Sequence, residues 1–521
     1  MTRMNRLNRR ALVLAGVAVV LVFGTTAAYA SSTWTTVAGN SQRTGSAASE
    51  PSLRPLHNAW NAALDASVYA QPLVFGGRVY TATENNTVYA LDPNDGRVLW
   101  KRHLGPPVTN VQSQVGCGNV DPLGILSTPV IDAAHKTIYV VATIQDSFRH
   151  IHHQLVGLDT LSGTPRVSAN ADPGGVQDPL YVQQRTGLAF ANGRVYIGFG
   201  GYAGDCGPYH GWLVSLTGAG TGKVGFNVTP NGGSGLGAIW APGGVSVDGA
   251  GNVYAATGNP DPVIPGNFGE SVLKFDRTAA MHLIGAVKTF PGGDNDLSSV
   301  APAQLPNHLL FQIGKQHLGL LIDTNTMTIV RSLGMCAGVV ADGATAWDGS
   351  HLYVPCANGI QQVNVDIAHR TMSLGWKGPG KGSPILAGGA LWTVDWDTSR
   401  LYALSPATGA VSSGFPMAIN GVPHFASPSA ALGLLLIGTH SGVSAFAGPA
   451  GVPPHAPNAC VAQKNHSGYW VTSTDGNVFP FGGAPSCGTL VQTQLKQPIV
   501  GMAGLPTPGY WLVARDGGIF S

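Results

Sequence analysis

The chain reads as an all-β protein: an eight-bladed β-propeller followed by a short β-repeat appendage. Three observations predict it. A short apolar strand, a tight turn and a second strand recur eight times, beginning at GGRVYTATENNTVYALD, HKTIYVVATIQD, NGRVYIGFGGYA, GNVYAATGNP, NHLLFQIGKQHLGLLID, SHLYVPCANGIQQVNVD, GALWTVDWDTSRLYALS and LGLLLIGTHSGVSAFAG. The reference positions Val79, Ile138, Val195, Val253, Leu310, Leu352, Leu391 and Leu435 lie 59, 57, 58, 57, 42, 39 and 44 residues apart. A hairpin recurring at that period means radial repetition of small sheets, and period-2 alternation between turn residues reads as half-buried strands. Finally, 72 glycines, 36 prolines and only 10% charged residues leave many turns and little surface helix. Seven blades remains the rival count, if one irregular repeat is a loop.

In order along the chain, MTRMNRLNRR, an apolar run from Ala11 to Phe23 and Ala28-x-Ala30 form a secretory signal over 1–30, shorter than a membrane span. Arg9-Arg10 is also open to a twin-arginine reading, and an uncleaved anchor stays possible. The propeller is expected over 31–447, with STWTTVAGNSQRTG, from Ser31, adding an outer strand to the last blade and closing the ring. Early repeats carry about 17 extra residues each, so a site is expected on loops at one face of the early half. A Pro/Gly/Ala linker over 448–459 leads to a different repeat at 460–521. There Tyr469 and Tyr510, Asp475 and Asp516, and Phe479 and Phe520 are each 41 residues apart. Two incomplete copies point to a truncated gene or fragment, or to a small appendage packed on the main domain.

Lys+Arg 28 against Asp+Glu 26 gives a net charge of +2, with no basic stripe to draw nucleic acid. Six cysteines without a C-x-x-C spacing in an exported chain point to disulfides, with 15 connectivities open. The expected pairs are Cys117 with Cys206, Cys336 with Cys356, and Cys460 with Cys487, the last two closing short loops. No G-x-S-x-G, H-E-x-x-H, Walker loop or C-x-x-C-H haem site occurs. His150, His152 and His153 fall on opposite faces of a strand and make a poor metal site. Tyr209-His210 is a candidate substrate entrance.

The segment ALDPNDGRVLW, Ala90 to Trp100, resembles the tryptophan-docking motif of quinoprotein-type propellers, in which the Trp packs between blades. Later copies around Asp159, Asp323 and Gly409 keep the turn and lose the Trp. The central stretch resembles the quinoprotein alcohol dehydrogenases, motif by motif from Asp205 to Lys315. Gly258-Asn259-Pro260 matches the family's G-N-P turn, Trp240 falls near the stacking Trp, and Asp296 in DNDLSS and Lys315 in QIGKQHLG follow in the family's order. GFGGYAGD ending at Asp205 stands where the family carries a Glu. The tail resembles the GYWLVASDGG-type repeat of secreted actinobacterial proteins.

The resemblance implies pyrroloquinoline quinone stacked on Trp240 and calcium held by Asp205, Asn259 and Asp296. It also implies Asp296 as the base for a substrate hydroxyl and Lys315 bonding the quinone. Arg185 is expected either on a cofactor carboxylate or paired with Asp205 or Asp178. The family's adjacent cysteine pair, which covers the second quinone face, is missing; a Cys117–Cys206 bridge is expected to cover that region. A secreted monomer is expected. As an enzyme it would oxidise an alcohol, sugar or polyol. The alternatives are a non-catalytic scaffold for an extracellular protein or glycan, and wall attachment through the tail.

Overall fold

In the computed structural model the described residues are 33–175, 177–231, 235–258, 264–289, 295–449, 468–472, 474, 478–482, 496–504 and 510–520. Their strands form a β-propeller. Eight antiparallel sheets follow one another, the first running Leu73–Phe75, Arg78–Ala82, Thr87–Leu91, Val98–His103. The inner strands of the next six begin at Val130, Ala189, Ser246, Ala303, Ala346 and Ile385. The eighth contains Ser429–Ala431, Leu434–Thr439 and Gly442–Ala447. No described helix is long and apolar enough to cross a membrane.

The expected half-buried alternation holds mainly in the outer strands, such as Pro165–Asn170 and Leu283–Lys288. Middle strands such as Thr87–Leu91 and Arg194–Phe199 are buried throughout, because each sheet lies between two others. A tyrosine at the second strand repeatedly ties one sheet to a turn of the next. Tyr80 donates to Thr160 O at 3.0 Å, Tyr139 to Gly218 O at 2.8 Å and Tyr353 to Pro406 O at 3.2 Å. Trp100 docks as the motif implies: its Nε1 donates to Thr160 O at 3.0 Å, and a Cβ on Gly163 would lie 2.6 Å from its ring. Two further tryptophans dock the same way. Trp60 reaches Pro93 O and Gly96; Trp376 reaches Pro406 O and Gly409. The copy at Gly409 lacks its own Trp, with Ser413 in that place, yet its turn still receives an indole, because the docking Trp is carried by the preceding sheet's outer strand.

Ring closure differs from expectation. The fourth strand of the eighth sheet is His57–Ala63, antiparallel to Gly442–Ala447. The segment near Ser31 instead lines the axis. Trp34 bridges Val74, and Thr35, Ser41, Gln42, Thr44 and Gly45 accept from the amides of Ile131, Val247, Gln304, Trp347 and Leu386 at 2.8–3.0 Å. Thr36 Oγ1 donates to Leu188 O, and Glu50 Oε2 accepts from Gly433 N at 2.9 Å. One strap therefore touches all eight sheets. The reason is physical: inner strands present backbone groups to the axis that must find partners once water is excluded.

Arg43 anchors the strap and is 1% exposed. Its Nε donates to Val245 O at 2.8 Å, Nη1 to Thr36 Oγ1 and Val37 O at 2.8 and 2.9 Å, and Nη2 to Leu188 O at 3.1 Å. Burial pushes this guanidinium down to about 9, and oriented carbonyl oxygens compensate its charge.

Two disulfides are present, Cys117–Cys206 and Cys336–Cys356, as expected. Cys460, Cys487, the linker from 450 and the segment 1–30 lie outside the described residues. In the tail, Gly468–Thr472 pairs with Val478–Gly482, and Ile499–Gly504, Tyr510–Ala514 and Ile519–Phe520 form a second sheet. Trp470 packs on Tyr510, ring centroids 5.5 Å apart.

Candidate functional site

In sheets joined up-and-down, the turn between second and third strands and the connection to the next sheet lie at the same end. Among the described residues, Arg185, Asp205, Trp240, Asp296 and Lys315 sit on such segments, hence on one face. Asp296, Lys315, Trp240 and Arg185 meet there. Asp296 precedes the strand Ala303–Leu305, and Lys315 lies between Leu309–Gln312 and Leu318–Asp323. The two form an ion pair. The Lys315 ammonium also stands 5.9 Å from the Trp240 ring centroid.

The backbone around Asp296 is tightly enclosed. Asp296 is 1% exposed and left-handed at φ 35. A Cβ on Gly258 would lie 2.6 Å from Asp296 Oδ1, and one on Gly314 would lie 2.6 Å from the Asp296 carbonyl oxygen. Only glycine fits at either point. Gly258, the first residue of the G-N-P sequence, thus lies against Asp296; Asn259 and Pro260 lie outside the described residues. Glu270, unnoticed in the sequence, is buried behind the loop, and its Oε2 accepts from Leu297 N at 2.9 Å. Burial, and then the nearby Asp296 charge, push its carboxyl up to about 7.

Arg185 pairs with neither Asp205 nor Asp178. Asp178 Oδ1 accepts from Leu180 N at 2.9 Å. The Arg185 guanidinium instead lies 5.1 Å from the Trp240 centroid and 4.6 Å from that of Phe425, within cation–π reach of both rings. Burial draws it down to about 10, opposed by Asp342 and Asp296. Asp342 is itself raised by burial. Phe425 stacks on His424 at 3.9 Å, and His424 meets the edge of Trp396 at 4.6 Å. Burial, helped by Arg185, lowers the His424 pKa. A cleft of about 310 Å³ opens beside this stack, lined in part by Tyr69, Leu126, Arg185, Trp396 and His424.

Asp205 does not join the cluster as a buried ligand. It is exposed at φ 52, and its Oδ1 accepts from Tyr209 OH at 2.6 Å. The Cys117–Cys206 bridge does lie beside it, a Cβ on Gly204 falling 3.2 Å from Cys117 Cβ. The second ring in reach of the Arg185 guanidinium, however, is Phe425. Tyr209 is fully buried and His210 Nδ1 bonds Thr229 Oγ1 at 2.8 Å, so neither opens an entrance. His150 is exposed ahead of the strand, and within it His152 is half-buried while His153 is buried on Asp172, as alternation along a strand requires. Among the described residues, no three His, Cys, Asp or Glu side chains gather as a metal cluster.

Asp342, Trp396, His424 and Phe425 were missed because they come from short loops with no motif. The available signal was His424 and Phe425, five and four positions before the inner strand Ser429–Ala431, and Trp396 just after Ala390–Asp395.

Comparison with known proteins agrees with this geometry at the level of fold. No curated protein sequence matches the chain. A family model described as outer membrane protein assembly factor BamB matches residues 57–202. Among solved structures, a quinohaemoprotein alcohol dehydrogenase from Pseudomonas putida is 15% identical, with a TM-score of 0.61 over 85% of this chain and 84% of its own. The quinohaemoprotein alcohol dehydrogenase from Comamonas testosteroni is 14% identical, with a TM-score of 0.61 over 86% and 83%. A europium-containing methanol dehydrogenase is 16% identical, with a TM-score of 0.61 over 82% and 93%. The chain is therefore similar to quinoprotein dehydrogenases in its propeller fold, and at these identities the likeness extends to the fold alone.

Proposed function

We propose that the axial cluster is a quinone site, and that the protein is an exported quinoprotein-type oxidoreductase acting on an alcohol, sugar or polyol. The observation that carries this reading is the meeting of Trp240, Arg185, Asp296 and Lys315, drawn from four separate connections of the ring. The residues fit the organic group: Trp240 offers an aromatic floor, and two cations at its rim suit the carboxylates of a flat polyanion. Asp296 would hold a calcium ion if one were bound, and the resemblance would add Asn259, which follows Gly258 in the sequence and lies outside the described residues. Asp205, at the surface, adds nothing to that support.

When bound, pyrroloquinoline quinone supplies the two-electron acceptor. The chain's own part is positioning and proton transfer. Asp296, fixed by Gly258, Gly314 and the Glu270-held loop, takes the substrate hydroxyl proton at a carboxylate oxygen. Lys315 keeps that carboxylate charged before substrate arrives and turns positive charge toward the bound group. Export is supported by the N-terminal apolar segment and by the two disulfides.

A second reading, a non-catalytic extracellular scaffold, is favoured by one specific observation: the cluster's charges are already engaged within the chain. Asp296 is neutralised by Lys315, and Trp240 is covered by Arg185. Calorimetric titration of pyrroloquinoline quinone into the full chain, with calcium and again with chelator, separates the two. The oxidoreductase reading expects binding strengthened by calcium, and dye reduction with alcohols that Asp296→Asn lowers by about 100-fold or more. No binding in either condition rejects it in favour of the scaffold.

A further inference from the structure

We propose that Trp240 and Phe425 are the floor and ceiling of one planar slot, and that the Arg185 guanidinium is its placeholder, turned out when a flat polyanion stacks there. This rests on the quinone reading and adds to it the second wall and the gating side chain.

The guanidinium is the flattest delocalised cation among the side chains, and it lies within stacking reach of both rings at once, 5.1 and 4.6 Å from their centroids. The guanidinium thus contacts the two rings that the slot would use as its walls. The ceiling is stiff: Phe425 is backed by His424, which is backed in turn by Trp396. Phe425 also sits at φ 70, in the left-handed region that a bulky aromatic rarely adopts. Strain of that kind persists where surrounding structure imposes it, and it gathers at ligand sites.

The placeholder is loosely held and has somewhere to go. Arg185 Nε donates to Trp240 O at 3.4 Å, the long limit of a hydrogen bond. Its attraction to Asp342 and Asp296 acts through space. The cleft of about 310 Å³ that Arg185 itself lines also contains Tyr69, Trp396 and His424, so a displaced guanidinium remains among aromatic faces and within reach of a ligand carboxylate. With Lys315 5.9 Å from the Trp240 centroid, both rims of the slot are cationic. This selects a flat anion over a neutral or cationic ring.

Stopped-flow mixing of the full chain with pyrroloquinoline quinone tests the gate. In the unaltered protein the observed rate should rise with ligand and then level at the rate of Arg185 opening. In Arg185→Ala and Arg185→Met it should rise linearly, reaching about 10-fold above the unaltered plateau. Phe425→Ala should weaken equilibrium binding by about 10-fold through faster release, with Phe425→Leu between. Equal unfolding midpoints identify variants that keep the fold. Binding by the unaltered protein with a linear rate, or Phe425→Ala with unchanged affinity, overturns the slot and leaves the quinone reading standing. No binding by the unaltered chain or by Arg185→Ala rejects both, whereas binding by Arg185→Ala alone supports a gate that is closed at rest.

Discussion

The half of the ring with long loops and the half with short ones contribute opposite chemistry to the same site. The long-loop half, through the fifth sheet, supplies Arg185, Trp240, Glu270, Asp296 and Lys315. The short-loop half supplies Asp342 and the stack of Trp396, His424 and Phe425. A site expected on the early half alone is thus built across the axis. The difference teaches that charge positions reacting atoms through long connections cinched by glycines, while a rigid aromatic wall needs only a short loop on a fixed frame.

If the long-loop half depends on polar pinning, breaking that pinning should be felt there first. Arg43→Ala is the largest expected effect. It strands the Val37 and Val245 carbonyl oxygens in a buried axis, takes one of two donors from Leu188 O, and should cost about 3–5 kcal/mol of unfolding free energy by denaturant titration. Amide exchange should rise first along Ala189–Ala191 and Ser246–Val247, and later along Ile385–Ala387. Uniform loss around the ring would erase the contrast between the halves.

Glu270 gives a smaller effect with a definite sign. Folding raises its carboxyl from 4.5 to about 7, so the unfolded chain releases this proton first. Its contribution to stability is present below about pH 4.5, falls as pH rises, and is gone above about 7. Glu270→Gln keeps an acceptor for the Leu297 amide and does not ionise. Its stability relative to the unaltered protein should therefore improve by up to about 3 kcal/mol between pH 4.5 and 8, read from denaturant midpoints across pH. A constant difference across that range would mean that Glu270 is ionised in the fold, and that the Asp296 loop is not backed by a neutral acid.

What the sequence disclosed follows from which forces leave a residue signature. The hairpins and the Trp100 dock were legible because a turn that receives an indole ring requires glycine, as at Gly163. Asp296, Lys315 and Trp240 were legible by order and spacing. The strap from Trp34 to Glu50 was read as an outer strand because it binds mainly through backbone groups, which any sequence offers. Asp205 was placed by the resemblance of GFGGYAGD to the family's segment. Its left-handed turn and the Tyr209 hydroxyl, which carry it to the surface, have no sequence mark. Phe425 was invisible for a similar reason, being one aromatic in a loop whose neighbours across the axis lie far away in the chain.

The structure of the full chain with pyrroloquinoline quinone bound tests the central claim most directly. The account predicts the planar rings between Trp240 and Phe425, with Arg185 turned into the cleft beside Tyr69 and Trp396. A quinone bound elsewhere, or Arg185 still stacked on Trp240 beneath it, would contradict it.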